Sequence, residues 1–348
     1  MIHKTTINDI AQELGISKST VSRALAGSED VKAETRKSVL DMAEKMNYIP
    51  NHMAQNLTKR RSKVIGVVVP EFINSFFSRI IIQIQKVFES EGYRVLITQC
   101  NDSWEAERRN LELLEESMVE GILMSVTEKG KNKDLYKALI QRGIPIIFFN
   151  RDEKGIDTSK VIIDDYKWSF FATEHLIYTR KRMGNEKPSI LHFRGPANID
   201  LSKPRLRGYT DAMEKHGLPL TKYSVLSTEV ITREEGFRLM CDYLDTNRIP
   251  DGVFCFNDQL AIGAMRALKH FGVKIPEQTS IIGFSESQSA LITVPALSSV
   301  AQPLEQMGLT ASKLLLEKID SPDSPSRTVV LNAVLNIRGS SDPSKVIL

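Results

Sequence analysis

At 348 residues, with 41% hydrophobic side chains, the chain has room for a small head and one or two larger cored domains. Its net charge of +3 is unevenly placed: residues 1–63 carry 11 Lys and Arg against 7 Asp and Glu, and the remainder 35 against 36. There is no signal-peptide pattern and no apolar run long enough to cross a bilayer. Three scattered cysteines, Cys100, Cys241 and Cys255, lack metal-ligand spacing, so the composition points away from export, a disulfide scaffold or a zinc site and toward a reduced cytoplasmic protein.

The first element expected is a helix opening at Thr6, an N-cap with Asp9 three residues on, and carrying Ile7, Ile10, Ala11 and Leu14 on one face. Gly15 ends it in a tight turn. Ser17 then caps a second helix, Lys18 to Ala26, ended by Gly27; Val21, Ala24 and Leu25 face the first helix, and Lys18, Ser19, Ser22 and Arg23 face outward. A third helix, about Ala33 to Met46, offers Val39, Ala43 and Met46 to close a small core. Two short helices about a glycine turn describe a helix-turn-helix, whose second helix enters the DNA major groove. The same pattern also fits three amphipathic helices of any small domain.

The next stretch is more specific. Pro50 biases Ile49 out of the helical region, NHMAQNL makes about two helical turns, and Lys59-Arg60-Arg61-Ser62-Lys63 is a basic linker suited to following phosphates. TINDIAQELGISKSTVSRALAG, YIPNHMAQNL and SKVIGVVVPEFINSFF together resemble the lactose-repressor (LacI/GalR) family of bacterial transcription regulators, over nearly the whole chain. The resemblance implies that Ser17, Lys18, Ser19, Thr20, Ser22 and Arg23 form a recognition helix, with Thr6 a further DNA contact. It likewise implies a hinge helix over Asn51 to Leu57, with Asn51, Ala54, Gln55 and Leu57 as contacts and Leu57 wedged into the minor groove. Wedging costs a few kcal/mol of unstacking, recovered through contacts that the kink permits; the plainer alternative makes Leu57 a packed linker residue.

From Lys63 onward short apolar strands alternate with amphipathic helices, the signature of parallel sheets covered on both faces. Strands are expected at 64–70, 93–100, 121–126 and 144–150, then at 160–165, 189–195, 224–230, 252–258 and 280–286, with SSVAQ after Leu297. The fold expected is an all-α helix-turn-helix head (1–50), a hinge (51–62) and an α/β body of two doubly wound parallel sheets (63–340). The first lobe is placed at 63–158 and 290–322, the second at 159–289 and 323–340. The resemblance adds a periplasmic-binding-protein-like body in which the chain crosses between lobes three times.

Ligands of doubly wound sheets bind beyond the carboxyl ends of the strands. Those ends carry Asn74, Phe76 and Phe77, then Asn150-Arg151, Asp164-Asp165 and Asn257-Asp258, and loop 196–205 adds Asn198, Ser202 and Arg205. Aromatic faces beside planar polar groups suit a sugar or another polyhydroxylated ligand. The resemblance makes Arg205 an effector-binding arginine and matches Asn257-Asp258 and Phe76-Phe77 to pocket residues; Ile231 and Ser285 complete the candidates. Core packing for Phe76 and helix capping for Asp258 are the plainer alternatives. Ser285 stands where relatives often carry an aspartate, and Ile199 and Leu201 make the loop apolar, which points away from a simple hexose. Trp168 stands where a small residue is common.

No GxGxxG or GxxxxGK[ST] motif is present, and His175, His192, His216 and His270 are scattered, so neither an enzyme nor a cofactor is expected. The expected function is a homodimeric regulator, a repressor, that binds pseudo-palindromic double-stranded DNA under control of a small effector, without a membrane partner or a metal. RGSSDPSKVIL shows no leucine heptad for a tetramer. The alternative is a solute-binding protein of sugar-binding type, which leaves residues 5–57 unexplained.

Overall fold

The computed structural model describes residues 5–48, 61–72 and 75–345, in two compact units, 1–62 and 63–348. The expectations for Asn51, Ala54, Gln55, Leu57 and Asn74 lie outside the described residues.

In the first unit, α1 (Ile7–Leu14), α2 (Lys18–Leu25) and α3 (Ala33–Lys45) close on a core in which Ile10, Val21 and Val39 are fully buried. Local chemistry sets the helix ends. The Asp9 carboxylate accepts from the Thr6 amide at 2.7 Å and the Thr6 hydroxyl at 2.8 Å. Gly15 ends α1 at a φ of +62°, a left-handed conformation that glycine adopts without steric cost. The Ser17 hydroxyl accepts from the Thr20 amide at 3.1 Å and starts α2.

The second unit holds two six-stranded sheets. The chain runs through β1 (Val64–Val69), α4 (Ser75–Ser90), β2 (Arg94–Gln99), α5 (Trp104–Glu116), β3 (Gly121–Met124), α6 (Lys133–Gln141), β4 (Ile146–Phe149) and β5 (Lys160–Ile163). It crosses into α7 (Asp165–Arg182), β6 (Ile190–Arg194), α8 (Ser202–Lys215), β7 (Val225–Ser227), α9 (Arg233–Thr246), β8 (Gly252–Cys255), α10 (Asp258–His270), β9 (Ser280–Phe284), α11 (Gln288–Leu291) and β10 (Ser298–Ala301). It returns through α12 (Leu304–Asp320) and β11 (Thr328–Leu331), and crosses again into β12 (Val334–Asn336). The sheet orders are β11-β5-β4-β3-β1-β2 and β12-β10-β9-β8-β6-β7, parallel throughout except for β10 with β12. Central strands β1, β3, β4, β8 and β9 are buried along their length, as near-continuous Val, Ile and Phe runs require.

The lobe boundaries differ from those expected. Residues 160–163 do not open the second lobe: β5 pairs with β4 and with β11 in the first sheet. SSVA at 298–301 is not part of the first lobe, because β10 pairs with β9. Thr328–Leu331 belongs to the first sheet, so within 323–340 the second sheet takes only β12. Strand patterning encodes burial but not the partner: β5 and β10 each pair with the strand just before them, and β11 reaches back to β5 across a long sequence separation. Three crossings between the sheets result: after β5, after β10 and after β11.

Candidate functional site

Both sheets share one arrangement, in which the chain turns back between the first and third strands and opens a crevice at their carboxyl ends. There the two lobes enclose a cavity of about 680 Å³, within the range of small-molecule sites. Residues following nine of the strands line it, including Glu71, Asn101, Asp102, Thr127, Asn150, Arg151, Asn198, Ile231, Asn257, Ser285 and Gln302.

Arg205, on the first turn of α8, is the most constrained polar group. It is 2% exposed, and its Nε and Nη2 both reach Asp165 Oδ1 at 2.7 Å. Nη1 donates to the Phe256 carbonyl at 2.5 Å, and the guanidinium lies 3.7 Å from the Phe284 ring centroid and 4.5 Å from that of Phe256. Burial pushes the Asp165 carboxyl up and the Arg205 guanidinium down, while their mutual attraction opposes both shifts. The outcome is a planar cation fixed in orientation before any ligand arrives.

Asp258 is 1% exposed and faces inward. Its Oδ1 accepts from the Ser299 hydroxyl at 2.6 Å and Oδ2 from the Ser287 amide at 2.5 Å. Burial pushes its carboxyl up to about 6. Gly283 is required beside it, since a Cβ there would collide with Asp258 Oδ1. The neighbouring Asn257, not Asp258, is the N-cap of α10, accepting from the Leu260 amide at 3.1 Å. Ser285 and Glu286 follow at φ +111° and +52°. This strap is held by the Ser285 amide on the Val300 carbonyl at 2.9 Å, and by Glu286 bound to Asn336 at 2.6 Å and to Arg338.

On the first lobe Asn150 has a φ of +62° and reaches Gln302 at 3.4 Å, tying the end of β4 to the β10–α12 crossing. Arg151 donates to Asp102 at 2.9 Å. Phe76 meets Phe77 edge to face, with centroids 5.0 Å apart; Phe77 is core and Phe76 half-exposed, and both touch the cavity.

In the head, Ser17, Lys18, Ser19, Ser22 and Arg23 are exposed along α2. The hydroxyls of Ser17 and Thr20 lie 2.8 Å apart within the cap, and Arg23 Nε donates to the Ser19 carbonyl at 3.4 Å. The hydroxyl of Thr6 is likewise engaged, on Asp9.

Residues 62–336 match the family described as periplasmic binding proteins and sugar binding domain of LacI family, and residues 6–51 match bacterial regulatory proteins, lacI family. The chain belongs to the LacI family. The HTH-type transcriptional repressor CytR of Escherichia coli (strain K12) is 30% identical over 97% of this chain and 96% of its own length. A structure of the transcriptional regulator CelR with cellobiose is 26% identical, covers 97% of this chain and all of that one, and superposes with a TM-score of 0.72. The operator-bound lac repressor dimer, 22% identical over 97% of this chain and 99% of that chain, shares the fold at a TM-score of 0.85.

This LacI-family chain is therefore a transcription regulator, with a helix-turn-helix head and an effector-binding body. Of the residues expected around its effector, Phe76, Phe77, Asn150, Asn198, Arg205, Ile231, Asn257, Asp258 and Ser285 line one cavity. Ser202 does not: it is fully buried and its hydroxyl donates to the Pro196 carbonyl at 2.6 Å, propping loop 196–201 from beneath. Trp168 is half-buried on α7, edge-on to Phe171 at 5.9 Å, and packs against the core instead of the cavity. Asp102, Thr127 and Gln302 were not anticipated. Each follows a strand, and that position was the available signal. Among the described residues no group of His, Cys, Asp and Glu is placed to hold a metal, and no helix is long and apolar enough to cross a membrane.

Proposed function

We propose that this regulator is a cytoplasmic homodimeric repressor, not an enzyme. Its two α2 helices read the halves of a pseudo-palindromic operator, and a small polyhydroxylated effector in the interlobe cleft sets its DNA affinity. The observation that carries this reading is the pre-oriented Arg205, aimed at a 680 Å³ cavity between two lobes that the chain crosses three times. A ligand touching both lobes favours one lobe arrangement over another, and operator affinity shifts by the difference in its affinity for the two. The relative named a transcriptional repressor and the regulator seen with cellobiose support the repressor and sugar-like parts of the reading. Lys18, Ser19, Ser22 and Arg23 are its base-reading residues, with Asn51, Ala54, Gln55 and Leu57 entering the minor groove between half-sites.

The test is selection of bound duplexes from a random pool at a stated moderate salt, with light scattering of the complex. A two-fold symmetric site bound by a dimer is expected. Its affinity should change when sugars or nucleosides are added one at a time. Enrichment of no sequence, both alone and with a metabolite extract, would refute the reading.

A further inference from the structure

We infer that the cleft is built for an uncharged ligand with one apolar face, and that Asp102 is the residue that turns acidic ligands away. The inference rests on the reading of this cleft as the effector site. Cavities that take phosphate esters or carboxylates present a cation with spare charge. Here the two buried cations are already neutralised. Arg205 shares one oxygen of Asp165 through two nitrogens at 2.7 Å. Arg151, 8% exposed, donates to Asp102 Oδ1 at 2.9 Å.

The backbone holds Asp102 to this task. Asn101 and Asp102 adopt φ of +51° and +52° in succession, and the Asp102 amide donates to the Pro70 carbonyl at 3.2 Å. That turn after β2 sets the carboxylate against Arg151 at the cavity wall. A third arginine, Arg233, lies at the exposed rim on uncharged partners, Gln259 at 2.9 Å and Ser289 at 2.8 Å, and the rim also carries the carboxylates of Glu229 and Glu234. An anion entering here would lose its hydration without gaining an unpaired buried cation, and would pass acidic groups on the way. Phe76, Ile199, Ile231 and Phe256 give the wall an apolar part, and Asn150, Asn198, Asn257 and Gln302 add uncharged polar groups. Together these features fit a glycoside or nucleoside, and not its phosphate ester or uronic acid.

The full chain is titrated calorimetrically with pairs that differ in charge: uridine and its monophosphate, glucose and its phosphate ester, phenyl glucoside and phenyl glucuronide. In any pair that binds, the neutral member should bind at least about tenfold more tightly. Asp102→Asn leaves Arg151 without its counter-ion and should raise the acidic-to-neutral affinity ratio by about tenfold. The thermal midpoint of the variant checks that it folds. An acidic member binding as well as its neutral partner, or a ratio untouched by Asp102→Asn, overturns the inference and leaves the effector reading standing. Absence of binding by every member, with operator affinity also unmoved, removes the effector reading and this inference with it.

Discussion

The outer face of α2 and the wall of the cleft use polar residues in opposite ways. On α2, Lys18, Ser19, Ser22 and Arg23 stand in water, their bonds local to the helix. In the cleft, Arg205, Asp165 and Asp258 are buried and bound to protein groups. A surface reader can be exchanged with little effect on stability, because water satisfies whatever replaces it. The cleft cannot be altered so freely. Arg205, Asp165 and Asp258 are buried in the second lobe, so there ligand recognition and folding draw on the same contacts.

Breaking the cleft at its most committed pair should give the largest effect. Arg205→Ala strands Asp165, at 6% exposure, without its partner, and the body should lose about 3–5 kcal/mol in urea unfolding. The double variant Arg205→Met with Asp165→Leu should recover most of that stability while leaving ligand binding lost. Stability of the single variant equal to that of the unmodified protein would mean that the pair is not buried in solution.

A pH series sharpens the same point. Asp258 has its carboxyl raised from 3.8 to about 6 by burial, so the fold favours the protonated form. Its stabilising contribution is fully present below pH 3.8 and is lost as pH rises through about 6, on the order of 2–3 kcal/mol. His192 runs the other way. Burial holds it down to about 3, so its contribution is present above its ordinary 6.5 and is lost as pH falls toward 3. Comparing the unmodified protein with Asp258→Asn at each pH cancels the histidine. The unmodified chain should lose ground to the variant between pH 4 and 7, and a flat difference would contradict the burial of Asp258.

On the reading face, Arg23→Ala should cost about 1–3 kcal/mol of operator affinity if its guanidinium reads a guanine. The unfolding free energy of the head should stay within about 0.5 kcal/mol. A loss of equal size on random DNA would reduce Arg23 to a phosphate contact.

The same contrast explains what could be read from the amino-acid order. The head was legible almost to the residue, because the Thr6–Asp9 cap, the Ser17 cap and the turn at Gly15 are all local. The strands and helices of the body were legible too, but not their lobes: β5 and β10 stay with the strands just before them and β11 returns to β5, choices of partner that strand patterning does not encode. Strand-end position found Asn150, Asn257 and Asp258. It could not show that Ser202 turns inward, that Asp165 is committed to Arg205, or that a left-handed turn sets Asp102 against Arg151, since these depend on side-chain direction in the packed lobe.

Between the two extremes lies Lys129 with Asp200, which joins the loop after β3 to loop 196–201 of the other lobe at 2.8 Å, with side chains 30% and 23% exposed. Water and salt reach this pair, so its strength should be that of a surface ion pair, about 0.2–1 kcal/mol. It nevertheless spans the cleft beside Thr127 and Ile199, both of which line the cavity. Lys129→Ala should therefore leave the stability of each lobe unchanged and lower effector affinity by no more than about fivefold, by removing a contact made only when the lobes are close. The loss should shrink as salt is raised, because screening weakens the pair in the unmodified chain. A salt-independent loss beyond about tenfold would place this pair with Arg205 and Asp165, as part of the buried framework of the cleft.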